Sequence, residues 1–425
     1  MSAYIHIPFC SHKCDFCDFA AFAGLDHLAQ EYCQVLQYEI SQRLATKHKP
    51  VYPLETPSGQ AREARKVQST GPDGNASQEA NKEASQTVPF VPAALNSTAP
   101  VLTSVFYGGG TPGLLAPELL RNVHGKLLEF CPAAKEMEVT LETTPQAVSR
   151  EKAQDWLAMG INRISIGVES FQDGELQAIG RDHDRAQAFQ GIKQALAAGF
   201  ENVSLDLMYA LPTQSVDSWQ RSLDEVFRLS EEHRQINHFS AYGLHLATNS
   251  PLYSRFSKDS PQYPDDDSYT AMYEQLVESA GKAGFHQYEI SNFCRPGFES
   301  RHNLGYWNGQ QYYAFGVSAH RYVDGVRSSN WRSLSRYMKD PLGNETCEVI
   351  DEGKRISEAI MLGLRKRVGL SLSEFERNFG FKLEIRYSKQ IEKLVQGGFL
   401  DLAGDHIVIT QKGVPVSNSV IAELI

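Results

Sequence analysis

The chain has 425 residues, enough for two or three domains and a large buried core. Its 41 Lys and Arg stand against 51 Asp and Glu, a formal net charge of -10, so the overall balance does not favour a nucleic-acid partner. No apolar run reaches the roughly 20 residues needed to cross a bilayer, and the first residues, MSAYIHIPFC, enter strand-like alternation at once instead of forming a signal or transit peptide. These features point to a soluble cytoplasmic protein.

Seven cysteines, an odd number, argue against a secreted disulfide framework. Cys10, Cys14 and Cys17 fall within eight residues, while Cys33, Cys131, Cys294 and Cys347 are scattered. After the cysteine segment, Leu25, Leu28, Tyr32, Val35, Leu36, Ile40 and Leu44 recur at helical spacing and predict an amphipathic helix. From 55 to 100 the composition turns to Ser, Ala, Gln, Asn, Pro and charged residues without an apolar period, the pattern of a disordered surface insertion, with a regulatory or partner-binding loop as the alternative.

Beyond the insertion, short strand-like runs alternate with helix-sized stretches: VLTSVFY, MEVTLE, NRISIGV, NVSLDLMY and HFSAYGL. With the first strand they make six β-α units, which predicts an α/β fold: a partial (β/α)6 TIM-like barrel with ligands at the C-terminal ends of its strands. The units divide the chain into a core over 1–54 and 101–245 and a flanking segment over 246–330. Residues 331–425 read helix, helix, hairpin, the outline of a C-terminal α+β, winged-helix-like domain with a structural or docking role.

Cys10-Ser-His-Lys-Cys14-Asp-Phe-Cys17 follows the first strand with spacing C-x3-C-x2-C. Clustered thiolates select zinc or an iron-sulfur cluster. Zinc would draw a fourth ligand from His6 or His12, whereas a four-iron cluster uses three cysteines and leaves its fourth iron open to a chelator.

The segment YIHIPFCSHKCDFC resembles the radical S-adenosylmethionine (SAM) signature, and more narrowly the coproporphyrinogen dehydrogenase family. The likeness runs through YGGGTP, VTLETTP, RISIGVESFQ, VSLDLMYALP, FSAYGLHL, YEISNF and RHNLGYW. It implies a [4Fe-4S] cluster on Cys10, Cys14 and Cys17. It implies that SAM chelates the open iron and is cleaved to methionine and a 5'-deoxyadenosyl radical. It implies that Tyr4, Phe16, Gly109, Gly110, Thr111, Glu142, Glu169, Arg181, Asp206 and Gly243 surround SAM. Glycines at a strand end let backbone approach a ligand, and Asp206 suits the ribose hydroxyls. Glu142, Arg181 and Asp206 are expected at strand ends or loop edges. Glu169 stands where the family usually has Gln, which leaves three readings: a protonated carboxyl, a side chain facing the amino end of SAM, or altered binding.

Two branches share these motifs. The oxidative decarboxylase branch carries a further cysteine two residues after the third, where this chain has Phe19, and a long N-terminal extension, where only three residues precede Tyr4. The H-N-x-x-Y-W pattern of His302, Asn303, Tyr306 and Trp307 matches the heme-chaperone branch. His302 is the expected heme ligand, Cys294 a rival thiolate, and Tyr306 or Trp307 would pack on the porphyrin. The resemblance thus implies a chaperone that binds cluster, SAM and heme and passes heme to apo-hemoproteins, including membrane-bound respiratory proteins that it would meet by peripheral association. An oxygen-independent coproporphyrinogen III oxidase and a zinc-binding winged-helix regulator are the alternatives.

Overall fold

The computed structural model describes residues 1–45, 100–248, 250–257 and 260–425; the insertion expected over 55–100 lies outside them except for Pro100. Strand β1 (Ser2–Ile7) is followed by the short pair β2 (Phe9–Cys10) and β3 (Phe22–Ala23). Then come β4 (Leu102–Gly109), β5 (Ala133–Thr143), β6 (Arg163–Glu169), β7 (Val203–Tyr209) and β8 (Ile236–Gly243). Strands β1, β4, β5, β6, β7 and β8 pair in parallel in that order.

Parallel neighbours require crossovers, and helices over 29–45, 117–130, 150–158, 185–198 and 216–232 provide them. The fold is a partial (β/α)6 barrel. The first of these helices starts four residues later than the apolar period, because Asp26–Leu28 forms a 3-10 turn; Tyr32, Cys33, Leu36, Ile40 and Leu44 are its buried face. Ser149, Asp184 and Ser215 cap three of the others through their side-chain oxygens, each accepting from a backbone N–H three residues on.

Alternation along the six strands separates two environments. Ile5, Val105, Leu141, Ile164, Leu205 and Phe239 are fully buried in the hydrophobic core, each contributing about 1.5–3 kcal/mol by burial. The opposite faces meet in the barrel interior and are polar.

The sheet continues past both ends of this core, to twelve strands among the described residues. β9 (His286–Gln287) and β10 (Asn292–Cys294) extend it beyond β8. β11 (Tyr312–Phe315) lies parallel to β1, followed by β12 (His320–Val323), β13 (Val326–Ser329) and β14 (Thr346–Val349). Sheet membership therefore runs through the boundaries drawn at 246 and 331. The C-terminal part holds helices over 352–365, 372–379, 383–386 and 388–396 and a small sheet of β15 (Leu370–Ser371), β16 (Leu400–Ala403) and β17 (His406–Ile409). Among the described residues no helix is long and apolar enough to cross a membrane.

Candidate functional site: a polar barrel interior beneath a cysteine loop

Every core strand sends polar or aromatic side chains inward at alternate positions. Register aligns Tyr4 with Phe106, Phe106 with Thr140 and Thr140 with Arg163. A second row runs from Glu142 to Ser165, Ser204 and His238. An inner cavity of about 210 Å3 is lined by Tyr4, Glu142, Arg163, Asp206, Tyr242, His302 and Tyr306 among others. An outer cavity of about 310 Å3 shares Tyr4 and Tyr306 with it and adds His6, Phe19, His320 and Arg332. The two tyrosines are common walls.

Two carboxylates and one guanidinium dominate the inner cavity. Burial, reinforced by Asp206, pushes the Glu142 carboxyl up to about 8; its Oε2 accepts from the Gly109 N–H at 3.1 Å. Asp206 lies in the middle of β7, not at the strand end expected for it, and still faces the cavity because of its inward register. Burial raises its pKa as well. Ser165 Oγ donates to both of its oxygens at 3.0 Å. Arg163, only 2% exposed, donates to His238 Nδ1 at 3.1 Å and supplies the positive charge facing both carboxylates.

The cysteine loop is tied to the segment that carries Arg181. Asp15 N donates to Ile179 O at 3.2 Å and Ser11 Oγ to Asp182 at 2.8 Å. Gly180, at φ +70°, leaves room for the Asp15 carboxyl, 2.7 Å from where a Cβ would sit. Arg181 Nη1 thereby reaches Cys14 Sγ at 3.2 Å, and Thr111 Oγ1 lies 3.7 Å from Cys10 Sγ. Burial pushes the Cys10 thiol up to about 11, with Cys17 and Cys14 adding to the shift, and burial raises Cys14 and Cys17 too. Three clustered, largely desolvated thiols with Arg181 and Thr111 beside them fit a site in which metal replaces the protons.

Glu169 sits at φ 64°, a strained left-handed conformation for a residue with a Cβ, at the C-terminal end of β6. Its Oε1 stands 3.4 Å from Arg181 Nη2. The acid in the Gln position thus has a guanidinium partner. Burial still pushes it up to about 7 against that attraction. Arg181 Nε is buried without a hydrogen-bond partner among the described residues.

The glycine run is explained first by packing against the chain itself. A Cβ on Gly109, at φ +115°, would meet the His6 ring at 2.5 Å, and one on Gly110 would meet Phe9 O at 2.7 Å. Gly243 likewise makes room for Tyr269 Oη, 2.4 Å from its virtual Cβ. Phe16 packs beside Ile179, Met208 and Leu211 under the loop. Tyr4 Oη bonds His6 Nδ1 at 3.2 Å, and His6 Nε2 bonds Ala20 O at 3.0 Å. Because a carbonyl only accepts, His6 carries its proton on Nε2 and Tyr4 donates.

The H-N-x-x-Y-W residues form a seven-residue helix, Arg301–Trp307. His302, Asn303 and Tyr306 face the inner cavity. Trp307 does not line this cavity; the guanidinium carbon of Arg365 is 5.9 Å from its ring centroid. His302 is 1% exposed and stacks on Phe106 at 5.0 Å. Its Nδ1 bonds Ser104 Oγ at 3.1 Å and its Nε2 bonds Tyr306 Oη at 2.9 Å. Both ring nitrogens are therefore hydrogen-bonded, so iron could reach Nε2 only by displacing Tyr306, and burial lowers the pKa of His302 to about 3.

Sequence reading passed over Arg163, Ser165, His238 and Glu138. Their signal was the polar-apolar alternation of strands expected to be buried on both faces.

A model of the Radical SAM superfamily matches residues 94–226, and one of the HemN C-terminal domain matches 350–416. Membership of that superfamily implies a [4Fe-4S] cluster and SAM. Among curated proteins the chain is similar to the heme chaperone HemW of Bacillus subtilis (strain 168), 31% identical over 425 residues, 99% of this chain and 97% of that one. It is also similar to radical S-adenosyl methionine domain-containing protein 1, mitochondrial, of Danio rerio, 30% identical over 76% of this chain and 75% of that one. The fold is like that of the coproporphyrinogen III oxidase HemN from Escherichia coli, TM-score 0.76, 19% identical, with 100% and 89% of the two chains covered. With 31% identity across nearly its whole length, the chain belongs to the HemW family of radical SAM proteins.

Proposed function

We propose that this protein is a heme chaperone that holds a [4Fe-4S] cluster on Cys10, Cys14 and Cys17, binds SAM and heme, and delivers heme to apo-hemoproteins, membrane-bound respiratory proteins among them. The observation that carries this reading is the likeness to a heme chaperone over 99% of the chain. When bound, the cluster supplies an open iron site and an electron for SAM.

The chain's own residues do the remaining work. Glu142 and Asp206 offer buried carboxylates for the cationic amino group and the ribose hydroxyls of SAM, with charge-assisted hydrogen bonds. Arg181 offers its unpartnered Nε to a carboxylate. Tyr4 and Tyr306 line both cavities and so stand between the SAM side and the outer space. Each cavity, at about 310 and 210 Å3, is near or below the lower end of the roughly 300–1,000 Å3 that drug-sized ligands occupy, so heme needs more room than either provides. Phe19, 66% exposed in the outer cavity, stands where the oxidase branch has a cysteine.

The test is an anaerobic comparison of reconstituted protein. A Soret band on adding heme, and its transfer to an apo-acceptor, are expected. Release of CO2 from coproporphyrinogen without heme binding would establish the oxidase instead.

A further inference from the structure

β9 and β10 are the outermost pair beyond β8, and His286 lies directly opposite Cys294 in their antiparallel register. Opposite residues project to the same face with Cβ atoms about 4.5–5.5 Å apart. Five residues on, Glu299 returns to the same point, immediately before Ser300, the N-cap of the Arg301–Trp307 helix. His286 Nε2 lies 3.6 Å from Cys294 Sγ and 2.8 Å from Glu299 Oε1, and the three donor atoms all lie within 4.8 Å of one another.

Two familiar uses of such residues do not fit. A thiol nucleophile with a histidine base needs the thiol on one ring nitrogen and the orienting carboxylate on the other. Here both converge on Nε2. A heme iron has its four in-plane positions taken by the porphyrin, so three neighbouring donors cannot all reach it, which also sets Cys294 apart from a simple axial thiolate.

We propose that His286, Cys294 and Glu299 form a binding site for one borderline-soft divalent cation of the zinc class, with water in the fourth position. Thiolate, imidazole and carboxylate are all ligands of zinc, at about 2.3 Å for sulfur and 2.0–2.2 Å for nitrogen and oxygen. A tetrahedron with those bonds separates sulfur from nitrogen by roughly 3.5 Å, close to the observed 3.6 Å, while nitrogen and oxygen, 2.8 Å apart in their hydrogen bond, open to about 3.4 Å on binding. On binding, the Cys294 thiol proton passes to solvent, and a proton on His286 Nε2 is exchanged through solvent for one on Nδ1. Cys294 is fully buried, whereas the side chains of His286 and Glu299 are 42% and 29% exposed and provide the route of entry. The ion ties the β9–β10 hairpin to the segment leading into the helix of His302 and Tyr306.

Full-length, cluster-loaded protein incubated with Zn2+ and desalted should retain about one zinc ion per chain in addition to its iron. Cys294→Ser and His286→Gln should abolish that retention with iron unchanged, and Co2+ in place of Zn2+ should give a thiolate charge-transfer band absent from Cys294→Ser. Wild-type protein that retains no zinc, or a cobalt spectrum without the band, overturns the proposal. So does zinc that survives Cys294→Ser and disappears with Cys10→Ser, because that zinc occupies the cluster loop. Should Cys294→Ser misfold, seen as loss of iron, the more exposed Glu299→Gln decides: zinc retention unaffected by it counts against the site, and loss of zinc with full iron supports it.

Discussion

Glu169 and Arg181 form an ion pair of 3.4 Å whose guanidinium also touches Cys14 Sγ, so the residue that departs from the family's Gln is electrically connected to the cysteine loop. Both side chains are buried, at 13% and 8% exposure. Removing one partner of a buried pair costs roughly 3–5 kcal/mol, because the other charge is left alone. Arg181→Ala is expected to lose about 3 kcal/mol at pH 8 and less at pH 6, where Glu169, already held near 7 with its partner present, takes up a proton. Adding Glu169→Gln should recover part of the loss. Urea unfolding under anaerobic conditions measures all three; equal losses at both pH values would disprove the coupling.

Glu142 predicts a pH dependence of opposite sign to that of an ordinary paired carboxylate. Its folded pKa, about 8, lies above its usual 4.5. The folded state therefore binds the proton more tightly, and stability falls as pH rises from 4.5 to 8. The slope from this group is at most about 1.4 kcal/mol per pH unit in that window. Glu142→Gln should flatten the profile and stabilise the protein relative to wild type above pH 8. SAM binding near pH 7 should also release a proton from Glu142, detectable by calorimetry in buffers of different ionisation enthalpy; buffer-independent heats would remove Glu142 from contact with the cationic ligand.

The six parallel strands and their order were legible because each strand's apolar face has a period of two and each gap fits one crossover helix. The spacing of Cys10, Cys14 and Cys17 pointed to one metal-binding loop, while the choice of an iron-sulfur cluster over zinc came from the family resemblance. The barrel interior was only half legible. Arg163 begins a strand after Asn162 and reads as a solvated charge at a strand end, yet it closes the floor of the cavity at 2% exposure. In RISIGV and VSLDLMY the polar positions alternate as they would on a surface strand, and only the parallel pairing turns that face inward. Strand β11, which joins β1 some 300 positions away in sequence, has no local signal that fixes its partner. The occupancy of both His302 ring nitrogens was not legible for a similar reason: the motif reports residue types, while those bonds depend on Ser104 and Tyr306.

Tyr306 and His302 offer a test of whether imidazole meets heme at all. Ligation through Nε2 has to break the 2.9 Å bond to Tyr306 Oη, which costs about 0.5–1.5 kcal/mol. Tyr306→Phe removes that obstacle and keeps the ring. Heme should then bind roughly 2- to 10-fold more tightly, read from a Soret titration, and His302→Ala in the same background should abolish the gain. Unchanged affinity in Tyr306→Phe would mean that iron is held elsewhere.

Glu138 holds the helix that brings His302 and Tyr306 to the cavity. From β5 its carboxylate accepts from Arg301 N at 2.9 Å, His302 N at 3.1 Å and Ser300 Oγ at 3.3 Å. It thus satisfies donors that a helix start leaves unpaired and places negative charge at the positive end of the dipole. Glu138→Gln keeps an acceptor but loses the charge, at an expected cost of about 1 kcal/mol; Glu138→Ala loses both, at about 2 kcal/mol. Since the cysteine loop lies on other elements, iron content should stay at the wild-type level while heme retention falls in the order wild type, Gln, Ala. Thermal unfolding and Soret titration of the three proteins give the ranking. An Ala variant with wild-type stability and heme retention would show that the Ser300 cap, which accepts from Asn303 N at 3.3 Å, holds the helix start without Glu138.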